Sequence, residues 1–306
     1  MRIGRKPNRA VAEAAALPQP PDASAIERLD ARLEAVERQL GELRQLVQRA
    51  YERTPAMTTR LLERRRDPAW ERAYDPDPLV TVRIGAYRGG ETLFDRALSS
   101  VRAQTYRHWE AIVVCDGPEP ETAARIATLR DARIRCVQRP RNGPYPADDG
   151  MRWQVAGTHP FNEGAGLARG LWIAPIDQDD EWTGDHLEVL LARAQETRAE
   201  LVYGQLRAQV ADEGETWFGT WPPRMGDFGF QAAIYHAGLV DFLYDANAYL
   251  AGEPGDWNLA RRMAEAGVRL DFVERVVGTY HVAPEARGLP FWRARMAERG
   301  AVPPGA

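Results

Sequence analysis

From Leu79 onward the chain repeats one pattern, a short apolar run followed by an amphipathic stretch. "LVTVRIGAY" (79–87), "WEAIVVCDG" (109–117), "ARIRCVQ" (132–138) and "LWIAPID" (171–177) have the length and composition of strands. "GETLFDRALSSVRAQ" (90–104) puts Leu93, Ala97, Leu98 and Val101 on one helical face, and "PETAARIATLRD" (120–131) and "NEGAGLARG" (162–170) complete the alternation. This predicts a parallel α/β sheet, because parallel neighbours need a crossover long enough to hold a helix. Such sheets bind ligands outside the carboxyl ends of their strands. Tyr87, Asp116 and the run Asp177 to Asp180 all fall at such ends. The fold does not require that convergence, so the sequence points to a site there.

Acids this close repel unless a positive partner lies among them. Aspartates one residue apart, as Asp177 and Asp179 are, can offer oxygens to a hard cation such as Mg2+ or Mn2+. The plainer alternative is that Asp179 or Asp180 caps a helix beginning near Thr183. A whole cluster after a buried strand favours a metal–phosphate site over a cap. The spacing of an EF-hand is absent, as is a G-x-x-x-x-G-K loop.

The region before the sheet reads differently. Residues 1–23 are rich in Ala, Pro and Arg and are expected to be disordered. Ser24 and Glu27 form a capping-box signature opening a helix over 24–54, on which Ile26, Leu29, Leu33, Val36, Leu40, Leu43, Val47 and Ala50 recur at steps of three and four. That is a coiled-coil seam, with Arg32 and Glu37 placed to pair between chains of a parallel dimer; packing on the chain's own body is the alternative. Pro55 closes it, and 55–78 reads as a charged linker whose Arg64 to Arg66 are most simply a solvated face, with anionic lipid as a lesser option. The body then divides into 79–204, 205–285 and a tail, 286–306, able to form an amphipathic helix over the site or a partner surface.

Composition excludes several classes. The net charge of −4 gives no basic field for nucleic acid, so no nucleic-acid partner is expected. Cys115 and Cys136 are too few for a disulfide scaffold or zinc ribbon and are expected to be reduced and buried. No apolar run approaches membrane-spanning length, and the N-terminal start is too weak for a signal peptide, so a cytoplasmic enzyme, with peripheral membrane contact as a secondary option, is the working class.

Four stretches carry a resemblance. "VTVRIGAY", "ALSSVRAQTYRHWEAIVVCDG", "NEGAGLARGLWIAPIDQDDEW" and "GDWNLARRMAEAGVRL" resemble, in order, motifs of the family 2 glycosyltransferases. The resemblance runs from Leu79 to His281 and implies a GT-A fold, a Rossmann-like mixed sheet flanked by helices, here preceded by the coiled-coil helix. It also implies inverting transfer from a nucleotide-diphosphate sugar, UDP-sugar first, to a saccharide, lipid-linked or protein acceptor. Carried over residue by residue, Tyr87 lies against the donor base and Asp116 accepts its imide N–H. Asp177 and Asp179 are the DXD acids holding Mn2+ or Mg2+, with Asp180 beside them to orient ribose, metal or sugar. Asn142 and Asn162 line the donor pocket, His281 approaches metal or diphosphate, and Asp256 is the catalytic base. By itself His281 reads equally as a structural histidine, and Asp256 as a helix cap.

The sequence also departs from the family's pattern. Gly85 and Ala86 stand for the usual Pro-Thr, Arg83 interrupts a buried strand, Cys115 replaces a frequent acid, and Gly255 replaces the Glu before Asp256. Extra residues between Asn142 and Asn162 carry Tyr145, Trp153 and His159, able to form a lid, an acceptor wall or simple packing. Most aromatics between Trp217 and Tyr249 are expected in the core, with one or two on the acceptor. Two other functions stay open: a non-catalytic coiled-coil scaffold that binds nucleotide or glycan, and a nucleotidyltransferase, which would lack a basic glycine-rich loop since "GAYRGGET" offers only Arg88.

Overall fold

The computed structural model describes residues 23–88, 90–141, 145–283 and 288–299. The expected disorder of 1–23 falls, but for Ala23, outside the described residues, as does Asn142. The chain separates into two units, Met1–Leu43 and Arg44–Ala306, with the boundary inside helix α1 (Ala23–Tyr51). Along α1, Ile26, Leu29, Leu33, Val36, Leu40, Leu43 and Val47 are 43% to 62% exposed. Among the described residues, the seam positions are therefore exposed.

The end of α1 is fastened to the second unit. Gln48 donates to Asp245 at 2.7 Å, and the buried Glu52 accepts from Arg261 at 2.7 Å and from Asn258 at 3.0 Å. The expected linker at 55–78 is instead folded. Helix α2 (Thr54–Arg64) carries Pro55 in its first turn, where a missing N–H costs nothing, and α3 (Pro68–Glu71) is capped by the Asp67 side chain. Leu61, Trp70, Ala73 and Tyr74 are buried; Trp70 stacks on His236 at 3.7 Å and Trp172 Nε1 donates to the Ala73 carbonyl at 2.6 Å. Arginine density hid these helices: four well-spaced buried side chains suffice to dock them.

A nine-stranded mixed sheet follows. Strand β1 (Val80–Ala86) leads through a π-helical turn (Leu93–Leu98) and α4 (Ser99–Arg102) to β2 (Trp109–Cys115). Leu93, Ala97, Leu98 and Val101 are buried, as their periodicity predicts. Then come α5 (Pro120–Thr128), β3 (Ile134–Gln138), α6 (Asp149–Val155), α7 (Thr158–Gly166), β4 (Trp172–Asp177), β5 (Glu181–Trp182) and α8 (His186–Thr197). The remainder is β6 (Leu201–Val210), β7 (Gly214–Phe218), β8 (Ala233–His236), α9 (Gly255–Glu265), β9 (Leu270–Val282) and α10 (Leu289–Arg299).

The strand order is β3-β2-β1-β4-β8-β6-β9-β5, with β7 on β6. The first four strands are parallel, and β8 pairs antiparallel with both β4 and β6. From β1 the chain runs outward through β2 and β3, then returns to β4 on the other side. The order therefore reverses between β1 and β4, where such sheets open a crevice. The register sets that crevice: Ala86 is paired with Cys115 and Gly85 with Asp177, so Tyr87, Asp116 and Gln178 emerge side by side.

Candidate active site

A cleft of about 770 Å3 opens at this edge. It is lined by Tyr87, Asp116, Arg141 and Tyr145, by Asp177, Gln178 and Asp179, by Asp256 on α9, and by the aromatics Phe218, Tyr280, Phe291 and Trp292. Gln178, which the sequence reading passed over, ties two strand ends together. Its amide accepts from the Tyr87 N–H at 2.9 Å and donates to the Tyr87 carbonyl at 3.0 Å. Next to it, the Asp116 N–H donates to the Ala86 carbonyl at 2.7 Å. The Tyr87 ring is flanked by the guanidinium of Arg141 at 4.5 Å.

The acids form an electrostatically costly group. Burial, the nearby Asp256 and the nearby Asp179 push the Asp177 carboxyl up to about 7, against the opposing pull of Arg83. Burial also raises Asp179, and Arg96 and His281 moderate it. Asp180 is raised well above the usual carboxylate range, by burial and then by its two neighbours; its Oδ1 accepts from the His281 N–H at 3.1 Å, while its buried Oδ2 has no partner among the described residues. Asp179 and Asp180 do not cap the next helix: α8 starts at His186, and the side chain of Asp185 before it makes no cap bond either.

Asp256 lies in the first turn of α9, where the helix dipole favours an acid. Its side chain does not cap that helix. Oδ2 accepts from the Phe230 N–H at 2.9 Å and Oδ1 from the Tyr244 hydroxyl at 3.0 Å. Burial raises this carboxyl, and those two hydrogen bonds and Arg83 hold the rise back.

Arg83 explains much of the local architecture. It is 1% exposed and reaches under α7, where its guanidinium lies 4.0 Å over the Phe161 ring and donates to the Tyr244 hydroxyl at 3.3 Å. Its Nε and Nη1 have no hydrogen-bond partner among the described residues. Room for it comes from glycine: a Cβ on Gly164 would meet Arg83 Cγ at 2.6 Å, and one on Gly85 or Gly157 would run into the Phe161 ring. What reads in the sequence as an interrupted strand is a buried cation whose neighbour Tyr244 holds Asp256.

The other expected residues divide. Tyr87, Asp116, Asp177, Asp179 and Asp256 line one cleft. Asn162 does not. Both ends of its amide are bonded to the Tyr244 backbone, at 3.0 Å and 2.8 Å, so it positions that segment rather than facing a donor. The His281 ring sits 3.2 Å from Glu181 Oε1, beside the acid group. The extra residues before Asn162 supply α6 and the cleft residues Tyr145 and Trp153. Tyr145 was legible only as an aromatic in an insertion; its partner Asp116 is distant in sequence. Cys115 and Cys136 are free thiols, 3.7 Å apart.

The profile of Glycosyl transferase family 2 matches residues 81–148 and 158–250, just over half of the chain. The chain belongs to that family. The unmatched gap, 149–157, contains α6. Among family relatives, the succinoglycan biosynthesis protein ExoO of Rhizobium meliloti is 35% identical over 135 residues, 44% of this chain and 35% of that protein. An Escherichia coli UDP-Glc:alpha-D-GlcNAc-diphosphoundecaprenol beta-1,3-glucosyltransferase, WfgD, is 27% identical over 128 residues, 42% of this chain and 46% of that protein. The chain thus matches less than half the length of either. The mannosyltransferase PcManGT of Pyrobaculum calidifontis, solved with GDP-Man and Mn2+, superimposes with a TM-score of 0.52 at 18% identity, covering 85% of this chain and 73% of that one. Staphylococcus aureus TarS with UDP-GlcNAc gives 0.52 at 14% identity, covering 69% and 60%. The fold of this family 2 member is accordingly the GT-A fold.

The acid group fits a divalent cation. Its donors are carboxylate oxygens, mutual repulsion and burial raise their proton affinity, and Asp180 Oδ2 is an orphaned buried acceptor. Among the described residues no three acidic, His or Cys side chains already surround one point. The group thus suits a cation that takes one or two carboxylates and completes its shell with water and phosphate, as Mg2+ does.

Proposed function

We propose that this chain is an inverting glycosyltransferase that takes a UDP-sugar and a divalent cation and glycosylates an acceptor hydroxyl. One observation carries the reading: a partly buried carboxylate, Asp256, faces the same cleft as the paired acids Asp177 and Asp179 from a different element. Such a cleft separates two tasks, holding a diphosphate and taking a proton. Tyr87 offers a ring face for the base, and Asp116 an acceptor for a base N–H. Mn2+ or Mg2+ held by Asp177 and Asp179 would offset the negative charge of the departing diphosphate. His281, through its backbone bond to Asp180, steadies that group.

In the step itself, the acceptor oxygen forms a bond to the anomeric carbon as the bond from that carbon to the diphosphate oxygen breaks. The hydroxyl proton passes to Asp256. Burial lifts its carboxylate's basicity, and the Phe230 N–H and Tyr244 hydroxyl fix its orientation. The clustered aromatics Phe218, Tyr280 and Trp292, packed edge-on and tilted, give the cleft a surface suited to a sugar ring. The uncovered seam of α1 supports a further part of the reading, self-association as a parallel pair.

The test is a panel of nucleotide sugars with Mn2+ or Mg2+, followed by release of nucleoside diphosphate. Asp256→Asn should keep nucleotide affinity and lower turnover by roughly 10²-fold or more, the scale of a lost general base. Wild-type turnover in that variant would remove Asp256 from the mechanism. A wild-type protein whose melting temperature rises with none of the panel would overturn the transferase reading altogether.

A further inference from the structure

Next to Tyr87 at the ends of β1 and β2 the cleft is lined by Asp116, whose two oxygens are not equivalent. The Tyr145 hydroxyl donates to Oδ2 at 3.1 Å. The direction of that bond is fixed by its partners: an ionised carboxylate can only accept, so the phenol proton is the one in the bond and it points at Asp116. The backbone amides of His159 and Gly157, at the start of α7, lie on the Tyr145 hydroxyl's side and favour negative charge on its oxygen. The ring is held as well, packed at 5.5 Å against that of His159. Asp116 Oδ1, by contrast, takes no hydrogen bond among the described residues, and the side chain lines the cleft.

We propose that Tyr145 is a specificity-determining residue for the donor base, leaving Asp116 one free oxygen and so selecting a base edge with a single ring N–H over one with two parallel donors. Uracil and thymine have one such N–H, flanked by carbonyls. Guanine offers a ring N–H and an adjacent exocyclic amine, a pair best met by both oxygens of one carboxylate. Here guanine must share Oδ2 with the tyrosine or expel it, leaving that hydroxyl or its own amine poorly bonded. A buried donor without its partner is costly. Cytosine turns a lone pair, not a proton, toward the carboxylate at its ring nitrogen. The inference rests on the nucleotide-sugar reading of the cleft and deepens it. The selecting residue lies near the end of the first family-matched stretch, 81–148, just before the unmatched residues that form α6.

The experiment measures dissociation constants of UDP, dTDP, GDP and CDP by calorimetry with Mn2+, for the wild-type chain and Tyr145→Phe. The wild type should bind UDP and dTDP at least about tenfold more tightly than GDP or CDP, the scale of one hydrogen bond to a charged group. In Tyr145→Phe, UDP affinity should stay within about threefold while GDP gains, so that the UDP-to-GDP ratio falls by about tenfold. A tyrosine that only packs would change all four affinities together and leave the ratio alone, which overturns the proposal. So does a wild type that prefers GDP, a result that needs no variant to fold. A wild type that binds none of the four nucleotides fails the transferase reading as well; the first two failures leave that reading intact.

Discussion

Replacing Asp177 with Asn should stabilise the metal-free protein while removing its response to metal. The native carboxyl has its pKa near 7, because burial and then Asp256 and Asp179 disfavour its charge; in an unfolded chain it titrates near ~3.9. Between these values the folded protein holds a proton that the unfolded chain has released. Stability therefore falls as pH rises through the window, and stays low above it. The gap of about three pH units corresponds to a ceiling of ~4 kcal/mol at about 1.4 kcal/mol per unit. Local relaxation and water entry reduce this to about half, ~2 kcal/mol, or roughly 4–8 °C of melting temperature for a domain of this size. Asparagine keeps the shape without the charge. In EDTA at pH 8, Asp177→Asn should melt above wild type, and the advantage should shrink roughly threefold at pH 5 by the same linkage. Added Mn2+ should raise the melting temperature of wild type and leave the variant nearly unmoved. A variant no more stable than wild type at pH 8, or an advantage independent of pH, would refute the electrostatic account of the acid group.

Two further outcomes follow from packing. Arg83→Met removes the donor to Tyr244 and two unpartnered buried N–H groups, so melting should hold within a few degrees while kcat drops about tenfold with donor KM little changed; unaltered kcat would take Arg83 out of the site. Deleting residues 1–43 should leave a folded monomer that binds nucleotide as the full chain does, whereas deletion through residue 75 strips Leu61, Trp70 and Tyr74 from the core and should cost solubility or more than about 10 °C of melting temperature. Light scattering and thermal melts check both, and a monomeric full-length chain at micromolar concentration would remove the α1 seam as an interface.

The four strands up to Asp177, their parallel pairing and the acids at their ends were legible because period and apolar runs are local signals. Leu93, Ala97, Leu98 and Val101 are buried as spaced, although the backbone there is partly π-helical. What the sequence hid depends on distant pairings. Asp256 reads as a cap because caps are local, yet its oxygens bond to Phe230 and Tyr244. Asn162 reads as a pocket residue, yet its amide is spent on a loop 82 residues away. Residues 55–78 read as linker because of their density of charge, and Arg65 in fact forms a two-point pair with the buried Glu200. Arg83 stood out as an error in a strand, and only the aromatic partners contributed by α7 and the 244 segment give it a meaning.

The fit of Arg83 and Phe161 against Gly85, Gly157 and Gly164 has an evolutionary consequence. The departures from the family's pattern at positions 83 and 85 are not independent substitutions. A larger residue at 85 collides with Phe161, a larger one at 164 collides with Arg83, and a small residue at 83 or 161 leaves a hole beneath the cleft. Single changes between this arrangement and one with proline at 85 therefore pass through a clash or a void, and their effects should be strongly non-additive. Lineages carrying this chain can drift freely at the exposed rim of the cleft, but beneath it the buried cation, the ring and the three glycines can be exchanged only as a set.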